Sequence, residues 1–181
     1  MARVPYRHRP DADVAEQYIY DRLEVERKNP TPNIFLALAH APTQLDGMLT
    51  YARTLRSATE LGPRLRELVI LGIAAAKGGE YVAEHHKHDA LKAGLTEQQV
   101  DAIARHAATY DLFESDELAV IDFGREIGGR DTVTQQTWTA AAQHLTQRQL
   151  VQLTMTACWY SAGVLMMRIL DLDLEDTSRA R

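Results

Sequence analysis

Apolar residues recur at three- and four-residue intervals along most of the chain, and the runs are separated by Pro, Gly and Thr-x-x-Gln rather than by strand-like alternation. Residues 1–11 are basic, with Pro5 and Pro10 blocking regular structure, and read as an arm. From Asp13 to Lys28, Val14, Tyr18, Leu23 and Val25 among Glu and Arg predict a moderately amphipathic helix. Asn29-Pro30-Thr31-Pro32 stops it, because a residue before proline is pushed out of the helical region. Asn33 is the expected cap of a short helix, IFLALAHA, and Thr43 of the next, with Leu45, Met48, Leu49, Ala52 and Leu55 at helical spacing.

Pro63 stands where a first helical turn tolerates it, and Leu65, Leu68, Val69, Gly72, Ile73 and Ala76 form the stripe that follows. Gly78-Gly79 breaks the pattern, a second helix runs from Glu80 to about Ala93, and Gly94 is its expected left-handed cap. Thr96 with Gln99 and Thr146 with Gln149 are capping boxes. Between them Ser115 opens DELAVIDFGREIGG, ending at the break Gly128-Gly129, and Thr134 opens a helix through Trp138 to His144. The fold class is therefore all-α, with an N-terminal arm and helix over 1–32 and a helical domain over 33–175; the tail after Asp173 is polar.

Composition narrows the partners. The formal charge of −5 offers nothing to nucleic acid or to an anionic membrane. A single cysteine excludes an intramolecular disulfide and fits a cytoplasmic protein, and Cys158, between Ala157 and Trp159, reads as an inert buried thiol. The start of the chain lacks the apolar stretch of a secretory signal. Leu150 to Leu170 is apolar, but Gln152, Thr154, Thr156, Ser161 and Arg168 interrupt it, so it reads as a helix of the core or of a subunit interface and not as a membrane span.

Chemistry is concentrated after Gly79. Val82, His86 and Asp89 share one face of the second helix, and Tyr81, His85 and His88 the adjacent one. If the Gly-Gly break folds the helices back on each other, Glu67 approaches the middle of that second helix. A carboxylate bonded to an imidazole fixes its tautomer and makes it a better base. Bland alternatives stand beside this: Glu67 could pair with Arg64 or Arg66 at the surface, and His85 and His88 could be solvated. HHKH offers no third metal ligand, so no metal is expected. The glycine pairs match neither a phosphate loop nor a dinucleotide fingerprint, and no GxSxG elbow is present.

The stretch LRELVILGIAAAKGGEYVAEHHKHDALKAGLTEQQVDAI, Leu65 to Ile103, resembles the carboxymuconolactone decarboxylase family, which also contains the alkylhydroperoxidase D-like proteins. The likeness extends more loosely through LFESDELAVIDFGREI and the last helix. It implies an alkylhydroperoxidase D-like bundle of roughly seven to nine helices, assembled as a homo-oligomer such as a trimer or hexamer. The peroxidase branch of the family uses a glutamate, a CxxC and a histidine; counted from Glu67, the thiols would fall at Gly79 and Val82 and the histidine at His86. Both thiols are absent, so a disulfide-based peroxidase is not expected. What the resemblance then implies is a decarboxylase-like enzyme for a small-molecule substrate, without cofactor. His86 would donate the proton and Glu67 orient it, while His85 or Tyr81 would stabilise the oxyanion or bind the leaving carboxylate. Phe35, Leu36, Tyr51 and Trp159 are the expected pocket walls. The same residues would also suit an isomerase or a cyclase, and a non-catalytic binding scaffold is the remaining alternative.

Overall fold

The computed structural model describes residues 2–27 and 31–175, and among them are nine α-helices and no strand. They are α1 Tyr18–Glu26, α2 Asn33–Leu38, α3 Pro42–Ser57, α4 Pro63–Lys77, α5 Glu80–Lys92, α6 Glu97–Ala104, α7 Ser115–Arg130, α8 Gln135–Ala142 and α9 Gln147–Leu170. The expected helix stop at Asn29-Pro30 and the tail beyond Glu175 lie outside the described residues. The chain falls into two compact units, residues 1–54 with 167–181, and residues 55–166.

In the first unit Ile19, Tyr20, Leu23, Leu36, Leu45 and Leu49 form a core. The N-terminal arm is fastened to it: the Arg7 N–H donates to the Leu36 carbonyl at 3.1 Å, and the Tyr20 hydroxyl to the Arg7 carbonyl at 3.0 Å. The amphipathic face expected between Asp13 and Lys28 needs correction. Val14 lies in a separate 3-10 turn and Val25 on the side of α1 away from Leu23, so both are exposed while Ile19 and Tyr20 are buried. Asn33 is the first residue of α2 rather than its cap, a place Pro32 takes, and α3 begins at Pro42, which puts Thr43 inside the first turn.

The second unit is built on α4 and α7, which approach closely because glycine faces backbone at their crossing. A Cβ on Gly124 would stand 2.5 Å from the Val69 carbonyl oxygen, and one on Gly72 would stand 2.8 Å from that of Ile121. Gly128 belongs to the same seam, where a Cβ would stand 2.8 Å from the Ile73 carbonyl oxygen, so the Gly128-Gly129 pair is not a break: α7 continues to Arg130 and ends on left-handed Asp131. Gly78 is a genuine terminator, with φ +66, and Gly94 follows α5 at φ +90. Both capping boxes form.

The last helix buries one face only. Leu153, Ala157 and Val164 are inaccessible, while Val151, Met155 and Leu165 point outward. Among the described residues α9 alone is long and apolar enough to cross a membrane. Cys158, one position and about 100° beyond Ala157, is exposed rather than buried.

Candidate active site

Burial of α4 on every side is what gives its single carboxylate, Glu67, a special environment. All residues from Glu67 to Ala74 are buried, since α5, α6 and α7 pack around the helix. Glu67 is 2% exposed and His86, on α5, 8% exposed. The left-handed Gly78 turns the chain after α4, so residues nineteen apart in sequence meet: His86 Nδ1 lies 2.7 Å from Glu67 Oε2. The other carboxylate oxygen accepts from Arg66 Nε at 3.1 Å. A buried carboxylate is tolerated when both its oxygens are satisfied in this way. The surface alternative is thus half right, because Arg66 does pair with Glu67 but in a buried place; Arg64 turns instead to Glu117 and to the Gly94 carbonyl.

An ionised carboxylate only accepts, so the hydrogen of this bond sits on Nδ1. The Nε2 atom of His86 is then the one that exchanges protons with anything else.

Two residues that the sequence pattern did not single out complete the neighbourhood. The Tyr160 ring, from α9, stands perpendicular to the His86 ring at 4.9 Å between centroids. The Tyr160 hydroxyl accepts from Arg56 Nη2, in the last turn of α3, at 3.3 Å. Partial desolvation works against the charge of Arg56, whose side chain still reaches solvent, but Tyr160, Glu67 and Asp89 outweigh it and hold the guanidinium pKa above its ordinary value. A tyrosine inside an apolar helix is a detectable signal, since its hydroxyl needs a partner. For Arg56 no sequence signal exists; it sits in a helix end like several other arginines.

The structure sets Tyr81 and His85 against one another. Their rings stack at 4.2 Å with 16° between planes, and His85 Nδ1 donates to the Tyr81 carbonyl at 2.8 Å. Tyr81 is buried, His85 half-buried and His88 exposed. Phe35 and Tyr51 belong to the unit of residues 1–54 and 167–181, where Phe35 packs on the core and carries the Arg27 guanidinium 5.0 Å from its ring centre. Trp159 is half-buried on α9 beside Tyr160. Among the described residues no three His, Cys, Asp or Glu side chains gather as a metal site.

The positions of the absent thiols are occupied by packing. A Cβ on Gly79 would meet both methyls of Val164, at 3.0 and 3.1 Å, and Val82 is buried in the first turn of α5.

An all-helical fold of this kind is shared by alkylhydroperoxidase D-like proteins. A peroxidase-related protein of Ralstonia eutropha with an alkylhydroperoxidase AhpD core superposes with a TM-score of 0.79 at 18% identity, covering 97% of this chain and 93% of that one. The debrominase Bmp8, in complex with 2,3,4-tribromopyrrole, superposes with a TM-score of 0.80 at 14% identity over 99% and 97% of the two chains. A peroxidase-related protein of Silicibacter gives 0.77 at 12% identity over 96% and 91%. No curated protein matches the sequence. Residues 39–123 match the sequence model of the carboxymuconolactone decarboxylase family.

Proposed function

We propose that the protein is a cofactor-independent carboxy-lyase acting on a small carboxylated lactone, keto acid or aromatic or polyketide-like precursor. The observation that carries this reading is the buried 2.7 Å contact between Glu67 and His86, which leaves Nε2 as the working atom of the imidazole. A carboxylate next to a conjugated carbonyl supplies its own electron sink. The carbon–carbon bond to the carboxylate breaks and its electron pair moves onto the carbonyl oxygen as an enolate. Neutral carbon dioxide departs, and protonated His86 delivers its Nε2 hydrogen to the carbon as the carbonyl re-forms. One proton returns to His86 from water in each cycle, so no other reactant is needed.

Positioned acid–base catalysis contributes about 10²–10⁴-fold, and the larger share falls to groups that stabilise the enolate oxygen. Carbon dioxide release and solvent-deuterium incorporation should be measured on a panel of carboxylated lactones and β-keto acids. Release by the wild type that falls at least about 10²-fold in a folded His86→Ala variant is the expected result. Deuterium entering carbon without release would replace the lyase by an isomerase or cyclase on the same pair. Wild-type release unchanged in His86→Ala would remove the mechanism.

A further inference from the structure

We propose that Arg56 and Tyr160 form the oxyanion subsite of this site, a two-donor clamp for the enolate oxygen that develops beside His86. The inference rests on the proton-transfer reading above and assigns to Arg56 and Tyr160 the part that Tyr81 and His85 were expected to play.

Hydrogen-bond direction carries the argument. A guanidinium has no acceptor, so in the 3.3 Å contact Arg56 Nη2 donates and the Tyr160 oxygen accepts. The hydroxyl hydrogen of Tyr160 is therefore left to point at a third atom. Accepting a charged donor also strengthens the hydroxyl as a donor in its turn. Among the described residues Tyr160 is the hydrogen-bond partner of Arg56, and a guanidinium has five donors, so most of its fork remains open.

The neighbouring arginines are committed elsewhere. Arg64 is held by Glu117, the Gly94 carbonyl and Gln99, and Arg66 by the Glu67 carboxylate. Arg56 is accessible from solvent, as a ligand-binding group must be, yet lies near enough to Glu67 and Asp89 to feel both charges. Tyr160 links it to the site through the perpendicular ring contact with His86.

The kind of oxygen follows from the reaction. A cation holding the departing carboxylate would stabilise the ground state and lose its partner as neutral carbon dioxide forms. The same cation on the carbonyl oxygen gains interaction as negative charge develops there. His85 is a poorer candidate, since its Nδ1 hydrogen is spent on the Tyr81 carbonyl.

The test uses 4-nitrophenol as an enolate mimic, because its phenolate and phenol differ in absorbance, with nitrobenzene as the neutral control. On the full-length protein the phenolate should bind at least tenfold more tightly than nitrobenzene. That preference should disappear in Arg56→Gln, shrink severalfold in Tyr160→Phe and be partly restored in Arg56→Lys, with nitrobenzene binding unchanged throughout. Circular dichroism checks folding, and two variants in different helices guard against one that misfolds. A phenolate preference that survives both Arg56→Gln and Tyr160→Phe overturns the subsite, as does the lack of any preference in the wild type. The outcome is independent of turnover: Arg56-dependent phenolate binding with no carbon dioxide release would sink the lyase and leave the subsite standing. His86-dependent release with unselective binding would do the reverse.

Discussion

In the proposed reaction Glu67 and His86 divide the work of one proton carrier. In that reaction the histidine would meet the substrate, whereas the glutamate would act through it by keeping the hydrogen on Nδ1 across their 2.7 Å contact. Glu67→Gln preserves volume but presents either an oxygen or an NH₂ group, so the ring is no longer held in one tautomer. Turnover should fall by roughly 10²–10⁴-fold. The imidazole ¹⁵N shifts should move from one Nδ1-protonated form to a mixture, a change that simple loosening of the helix would not produce; unchanged shifts would count against the positioning role. At this scale the sequence was partly legible. Its helical spacing singled out His86, and a carboxylate flanked by leucines singled out Glu67. Arg56 was invisible, because its meaning comes from Tyr160, 104 residues away.

The helix pair α4–α7 is what forces Glu67 indoors. Its close approach depends on glycines that look alike in sequence to glycines elsewhere, so substitutions should separate them. In Gly124→Ala the new methyl would stand 2.5 Å from the Val69 carbonyl oxygen, and the helices must part. Overpacking of this kind costs about 1–3 kcal/mol. Gly163, inside α9, has nothing within 4 Å of its Cβ position. Alanine there should stabilise by roughly 0.5–1 kcal/mol, the helical penalty of glycine. Urea unfolding of the two variants measures both signs, and equal effects would refute the close-packed seam. The misreading of Gly128-Gly129 as a break has the same source. In sequence a helix-packing glycine and a helix-ending glycine are identical, and only the neighbour that fills the missing side chain tells them apart.

At the scale of the whole molecule the chain divides into two units, and every residue of the Glu67–His86–Tyr160–Arg56 group lies in the one spanning residues 55–166. The resemblance to the carboxymuconolactone decarboxylase family carries an expectation of self-association that a single chain does not test. Sedimentation velocity should give a species three or six times the 20.3 kDa of one chain, and a concentration-independent monomer would remove that expectation. The helical class, the turns at Gly78 and Gly94 and the capping boxes were all determined by the sequence alone, because each depends on residues within a few positions of one another. The exposure of Cys158, the burial of Ile19 in place of Val14 and the meeting of Arg56 with Tyr160 were decided by tertiary structure. Periodicity shows that a helix has faces, but which face is buried depends on what packs against it, and that partner lies far away along the chain.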